Sequence, residues 1–288
     1  MHDFIFTGVC TALVTPFLND SVNYPMLEQL LRRQAEAGIS ALVICGTTGE
    51  SATLTDEEKI ALFRFAKAAA PEDMRIIAGT GSNSTAHAIA LSEQAQAAGA
   101  DALLVVSPYY NKATPQGLYR HYAAIAESVH IPVILYNVPS RTGVDIPVEV
   151  YKRLSTIPNI AGVKEASPDI RKIAQIRALC PPHFALWCGN DDLAVPALSL
   201  GAKGLISVVS NVEPEMTGAM VNAALDGDFD TAAALQLTLL PLIHALFAEV
   251  NPIPVKAAMA LIGYDCGSCR MPLWGPEEET IRQLKDYL

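Results

Sequence analysis

Val9-Cys10-Thr11-Ala12-Leu13-Val14-Thr15-Pro16-Phe17 opens with a short apolar run and stops it on a Thr-Pro-Phe turn. A short run rich in Val and Leu suits a strand buried on both faces, as in a parallel sheet. An open doubly wound sheet would follow its first strand with a glycine-rich phosphate loop. None follows here. Seven similar runs lie downstream, at residues 41–45, 75–78, 102–106, 133–136, 160–163, 185–188 and 204–208. Between and after them the apolar residues take helical spacing, at 26–37, 56–69, 85–98, 115–129, 147–154, 170–179, 191–200 and 213–225. Eight strand–helix units predict an α/β fold, a (β/α)8 TIM barrel over residues 1–226. Past residue 226 the strands stop. Segments 229–250, 254–262 and 277–288 read as a C-terminal helical extension over residues 227–288.

Several boundaries carry their own chemistry. Thr55 and Glu58 have capping-box spacing, and Ser84 is a second cap. Gly38, Gly99 and Gly201 follow helical stretches where a left-handed residue terminates the turn. Pro115 and Pro147 stand near first-turn positions, where a missing N–H does no harm.

The chain has 288 residues, half of them hydrophobic, and a net charge of −10. Such a balance excludes nucleic acid or an anionic membrane as the main partner, because both attract basic surfaces. No apolar run reaches the length of a membrane-spanning helix. The opening segment carries Asp3 and no early Lys or Arg, so it reads as part of the first strand rather than as a secretory signal. Six cysteines in a chain of this length read as reduced, mostly buried thiols of a cytoplasmic protein.

In a barrel of this kind the chemistry collects where strands end and the following loops begin. Those positions hold Thr47 and Thr48, Tyr109 and Tyr110, Tyr136 and Arg141, Lys164 and Glu165, Gly189 to Asp191, and Ser207 and Ser210. Lys164 ends the run Ile160-Ala161-Gly162-Val163, which aims its amine into an apolar mouth. Desolvation there favours the neutral amine, which can attack a ketone and form an imine that serves as an electron sink. The competing reading pairs Lys164 with Glu165 at a solvated strand end. Hydroxyls of Thr47, Tyr110 and Tyr136 suit a proton relay. Thr48 suits a carboxylate, and Arg141 can grip a second one in a bidentate way. Taken singly, the tyrosines also fit rim packing and Arg141 a surface turn.

Other motifs are weaker. Cys266-Gly267-Ser268-Cys269 has CxxC spacing without a matching ligand pair or a thioredoxin-like setting. Asp191-Asp192 would suit magnesium, but acids also favour a helix start, which is the preferred reading. Gly79-Thr80-Gly81 lacks the third glycine of a dinucleotide fingerprint.

Four segments together resemble the dihydrodipicolinate synthase (4-hydroxy-tetrahydrodipicolinate synthase) family: Gly46-Thr47-Thr48-Gly49-Glu50, Pro108-Tyr109-Tyr110-Asn111-Lys112, Tyr136-Asn137-Val138-Pro139-Ser140-Arg141-Thr142-Gly143 and Gly162-Val163-Lys164-Glu165. The likeness extends to Asn251-Pro252-Ile253-Pro254-Val255-Lys256. The resemblance implies condensation of pyruvate with L-aspartate 4-semialdehyde on the route to lysine, without cofactor or catalytic metal. By that likeness Lys164 forms the imine, and Tyr136 handles protons through Thr47 to Tyr110, which reaches in from a neighbouring subunit. Thr48 would hold the pyruvate carboxylate and Arg141 that of the aldehyde, with backbone contacts from Gly189 and Ile206. A tight homodimer, pairing into a dimer of dimers, is implied too. The wider superfamily includes N-acetylneuraminate lyase and 2-keto-3-deoxy sugar-acid aldolases, the alternative functions. Thr47-Thr48 and Arg141 favour the synthase. A metal-dependent barrel enzyme and a non-catalytic keto-acid sensor are the readings from other classes.

The family's lysine-effector site maps onto Ser51, Ala52, Asp56, Lys59, Asn83, His87 and Tyr109. Lys59 puts a cation where an effector ammonium needs an acceptor, so lysine inhibition is expected to be weak or absent.

Overall fold

A computed structural model of the chain describes residues 4–288. Eight parallel strands close into a barrel: β1 (Gly8–Ala12), β2 (Ala41–Ile44), β3 (Arg75–Gly79), β4 (Ala102–Val106), β5 (Val133–Asn137), β6 (Ile160–Glu165), β7 (Ala185–Cys188) and β8 (Gly204–Ser207). They pair in chain order, and β1 closes on β8. The TIM barrel expected from the sequence is the fold. Residues 1–3, which the sequence reading joined to the first strand, lie outside the described residues.

One helix follows each strand: α1 (Tyr24–Glu36), α2 (Asp56–Ala69), α3 (Thr85–Ala97), α4 (Pro115–Ser128), α5 (Val148–Leu154), α6 (Ile170–Leu179), α7 (Ala194–Ser199) and α8 (Pro214–Leu225). The capping box forms as its spacing predicts, with Glu58 N donating to Thr55 Oγ1 and Thr55 N to Glu58 Oε2. Gly38, Gly99 and Gly201 all take positive φ after their helices. Three small elements went unread, one of them the 3-10 turn Val209–Asn211. A hairpin pairs Phe17–Leu18 with Ser21–Val22 across Asn19 and Asp20, both left-handed. The segment Pro139–Thr142, read as a polar turn, forms one helical turn closed by Gly143 at φ 70°.

Alternation along the strands divides the core in two. Cys10, Val43, Ile77, Leu104, Ile134, Trp187 and Ile206 fill the barrel, while Leu42, Ile76, Leu103, Leu135, Val163 and Leu205 pack under the helices. Phe6 stacks on Trp187 at 5.0 Å ahead of β1, on the side away from the strand ends. A register shift between Val133 and Ile134 leaves Ala161 of β6 without a partner on β5. Beyond that bulge Gly162, Lys164 and Ala166 alternate with Val163 and Glu165, so Lys164 shares the inward parity of Ala166 in the barrel-interior cluster.

After the barrel come α9 (Phe229–Leu246), α10 (Ile253–Leu261) and α11 (Glu278–Lys285). Helix α9 is long and apolar enough to cross a membrane on length and composition, which the sequence reading did not anticipate. Its inner face is nevertheless packed protein, with Leu239, Leu242, Ile243 and Leu246 buried. The Gln236 side chain ties it to the barrel, donating to the Asp191 carbonyl at 2.9 Å and accepting from Val195 N at 3.2 Å.

Candidate active site

Tyr136 and Lys164 are register partners on β5 and β6, and both side chains are buried at the carboxyl end of the barrel. The Lys164 ammonium nitrogen lies 4.5 Å from the centre of the Tyr136 ring. Lys164 belongs to strand β6 rather than following it, and its side chain is 5% exposed. Pairing with Glu165 is ruled out by geometry, since adjacent strand residues face opposite ways. Glu165 points outward, where it accepts from Asn137 at 2.8 Å, from Tyr151 at 3.1 Å and from Ser167 N at 2.9 Å.

Gly189 makes room for the Lys164 stem. A Cβ on Gly189 would stand 2.7 Å from the Ala166 methyl and 3.0 Å from Lys164 Cε. Its N–H donates to the Glu165 carbonyl at 2.8 Å, so the close approach is built into the β6–β7 junction. Ile206 is fully buried on β8, opposite Cys10 of β1.

Thr47 and Tyr136 line an inner recess together with Cys45, Gly79, Leu104 and Val106. Above it opens a cavity of about 570 Å³, whose walls include Thr47, Ser51, Val106, Tyr109, Val138 and Arg141. Arg141 sits on the helical turn after β5 and lines this mouth. Thr48 is buried and its Oγ1 accepts from Asn251 Nδ2 at 3.0 Å. That acceptance leaves the Thr48 O–H free to donate elsewhere, as a carboxylate clamp requires.

Lys164, Thr48, Gly189 and Ile206 are packed behind the walls of the recess and cavity rather than lining them, and two further sequence-predicted residues stand exposed and off those walls. Tyr110 projects with 91% of its surface exposed, at φ 73°, while its neighbour Tyr109 lines the mouth. Asn83 stands exposed, off the cavity wall that Ser51, Ala52, Asp56, Lys59 and His87 share. There Asp56 binds His87 Nε2 at 2.7 Å and Lys59 Nζ at 3.4 Å. Burial pushes the Asp56 carboxyl up, but the His87 hydrogen bond and the Lys59 charge hold it below the usual range.

Asp191 does not cap the helix it begins. Its Oδ2 accepts from the N–H groups of Val208 and Val209, fixing the turn after β8 instead. Full burial raises its carboxyl above the usual range, and Oδ2 is taken up by these two backbone partners. The six cysteines are free thiols. Burial pushes Cys266 up to about 12 and Cys269 up to about 11, so both thiols rest protonated.

Sequence reasoning missed the far wall of the site. Glu50 is buried against Lys256, and Val250, Asn251, Pro252, Pro272 and Leu273 of the helical extension close the cavity. The available signal was Lys256 itself, a cation inside the apolar run Ile253-Pro254-Val255-Lys256-Ala257-Ala258, where a buried acid must be its partner.

Comparison with known proteins identifies the family to which this fold belongs. The model of the dihydrodipicolinate synthetase family matches residues 5–288. The 4-hydroxy-tetrahydrodipicolinate synthase of Acetivibrio thermocellus is 48% identical over 284 residues, 99% of this chain and 97% of its own. The chloride-inhibited dihydrodipicolinate synthase of Acinetobacter baumannii, solved with pyruvate, is 41% identical at a TM-score of 0.96, covering 98% of this chain and 97% of that one. The lysine-bound enzyme of Cyanidioschyzon merolae is 41% identical at a TM-score of 0.96, covering 99% and 98%. With the family model matched over residues 5–288 and a relative 48% identical over 99% of this sequence, the chain belongs to the dihydrodipicolinate synthetase family.

Proposed function

We propose that the chain condenses pyruvate with L-aspartate 4-semialdehyde to 4-hydroxy-tetrahydrodipicolinate, in the cytoplasm and on the route to lysine, through an imine on Lys164. The observation that carries the reading is the buried Lys164 amine against the Tyr136 ring, at 4.5 Å. The amine is buried on the inward face of β6 beside Tyr136, and a lysine amine in its neutral form is a nucleophile toward a ketone carbon.

The Lys164 nitrogen adds to C2 of pyruvate, and the carbinolamine loses water to give the imine. Loss of a C3 proton moves its electron pair into the C=N system as an enamine. C3 then attacks the aldehyde carbon, whose oxygen takes up a proton and becomes the 4-hydroxyl. The amino group of the second substrate attacks C2, closes the ring and expels the Lys164 amine. Every step is a proton transfer, an addition or an elimination, so the imine serves as electron sink and no external cofactor is required.

Tyr136 and Thr47 pass the protons, Thr48 and the Ile206 backbone hold the keto acid, and Arg141 grips the second carboxylate. Gly189 keeps the lysine stem in line. Tyr110 completes the relay in a second copy of the chain, which fits its 91% exposure here. The working form is thus a tight homodimer, and two dimers associate through apolar surface such as Leu237, which is 67% exposed. The barrel, residues 1–226, carries the chemistry, and the helical extension, 227–288, walls the site.

Borohydride added with pyruvate should leave a reduced three-carbon adduct on the peptide holding Lys164, read by mass spectrometry. An unmodified peptide after loss of activity removes the mechanism. Turnover of aspartate semialdehyde with pyruvate, against cleavage of N-acetylneuraminate, separates this function from that of a sister aldolase.

A further inference from the structure

The turn after β2 carries Thr47 and Thr48 and is bracketed by two non-glycine residues in the left-handed region, Cys45 at φ 56° and Glu50 at φ 55°. Non-glycine residues hold such backbone only where their surroundings impose it. Here the surroundings come largely from the other end of the chain. Glu50 Oε1 accepts from Lys256 Nζ at 2.8 Å, Glu50 Oε2 from Arg270 N at 2.8 Å, and Thr48 Oγ1 from Asn251 Nδ2 at 3.0 Å. These contacts span 206, 220 and 203 positions of sequence, respectively. From the barrel side, Thr15 Oγ1 donates to the Gly49 carbonyl at 2.7 Å.

Lys256 is the hub of the arrangement. Its ammonium also donates to the Ser268 carbonyl at 3.2 Å and lies 4.5 Å over the Phe17 ring. Both partners of the Glu50–Lys256 pair are buried, at 0% and 4% side-chain exposure. A buried pair gains little over an apolar contact, but removing one partner leaves the other charge unmatched. Such a pair therefore specifies one conformation more than it adds stability.

We propose that Glu50 and Lys256 are positioning residues for the keto-acid carboxylate: the helical extension, through this pair and Asn251, holds the strained turn in the one form that aims the Thr48 O–H and the neighbouring backbone at the substrate. The inference rests on the reading of Thr48 given above. Tyr136 and Lys164 stand on β5 and β6, outside this turn, while Thr47 of the relay stands in it, so the Glu50–Lys256 pair acts on binding first and on the chemistry only through Thr47.

The test uses Lys256→Met, Glu50→Gln, the double variant and the conservative Lys256→Arg in the full chain. The KM for pyruvate should rise tenfold or more in the single charge-removing variants, a larger factor than any accompanying fall in kcat. The pyruvate concentration giving half-maximal borohydride adduct on Lys164 should shift by the same factor. Lys256→Arg and the double variant should recover part of the loss. An unchanged pyruvate KM in a folded single variant, or a fall in kcat alone, overturns the proposal. Where the single variants do not fold, Asn251→Ala is measured instead, since it removes the side-chain hydrogen bond to Thr48 and leaves the Glu50–Lys256 pair intact; a raised pyruvate KM supports the proposal and an unchanged one overturns it. Absence of any adduct in the wild-type chain would count against the imine itself, whereas a normal wild-type adduct with unshifted variants would count against the positioning role alone.

Discussion

Asn137 and Glu165 face each other across β5 and β6, one residue beyond Tyr136 and Lys164, and the Asn137 amide donates to the Glu165 carboxylate at 2.8 Å. The same Asn137 side chain donates to Asp145 at 2.8 Å and accepts from Ile146 N at 3.0 Å, so it also anchors the loop that follows Arg141. Lys172 adds its charge from α6, 4.0 Å from Glu165 and paired with Asp145. On the inner face stand Tyr136 and Lys164, the pair proposed to react; on the outer face stands the network that fixes their register.

Removing the acid should therefore damage both stability and chemistry. Glu165→Ala leaves Lys172, Tyr151 and Asn137 facing an empty acceptor site, a loss of about 3–5 kcal/mol for a broken buried charge network. Glu165→Gln keeps the acceptor for Asn137 and Ser167 N and should retain most of the fold, with a slower rate of pyruvate adduct formation on Lys164. Denaturant titration and timed borohydride quenching measure the two effects. Wild-type values for both would mean that the strands hold their register without the network.

Gly189→Ala tests how closely the amine is aimed. The added methyl meets Ala166 at 2.7 Å and Lys164 Cε at 3.0 Å, and the flexible lysine stem must yield. Overpacking of this size costs about 1–3 kcal/mol of stability. A displaced reacting atom costs more in rate, on the order of a hundredfold for about 1 Å. The expected signature is a large fall in kcat with a small change in melting temperature. Equal damage to both, or none to kcat, would contradict it.

Most of the barrel is legible in the sequence because a strand buried on both faces leaves an unbroken apolar run, and each such run lies within a residue or two of an observed strand. The Phe17–Val22 hairpin escaped because its strands are two residues long, although Asn19-Asp20 is a turn dipeptide. Lys164 and Tyr136 were readable from their place at strand ends. Lys256 and Asn251 were not, since nothing local connects them to Thr48 and Glu50 some 200 positions earlier. Asp191 misled for a related reason: an acid at a helix start looks like its own cap, and here it serves the turn after the neighbouring strand.

The mouth of the cavity carries a prediction about regulation. An incoming lysine would bring its ammonium to a wall where Asp56 already holds Lys59 at 3.4 Å and His87 at 2.7 Å. The acidic partner is taken, and Lys59 repels a second cation. Submillimolar L-lysine should leave the steady-state rate nearly unchanged. Half-maximal inhibition in that range would show that Asp56 exchanges its partners for the effector.

His121 gives the fold an acid sensitivity of known sign. It is buried between α3 and α4, its Nδ1 2.9 Å from Thr85 Oγ1, and burial pushes its pKa down to about 4. Above the ordinary histidine value of about 6.5 both folded and unfolded chains carry it neutral, and it costs the fold nothing. As pH falls below that value the unfolded chain takes a proton that the folded one refuses, so stability declines. The decline ends near pH 4, where the buried ring protonates as well. Over that window the loss is on the order of 3 kcal/mol, at 1.36 kcal/mol per pH unit. His121→Asn removes the titrating group and should flatten the stability curve by one proton between about pH 6.5 and 4. Unfolding free energies measured by denaturant across that range decide the matter: curves that run parallel in the two proteins would place the acid sensitivity elsewhere.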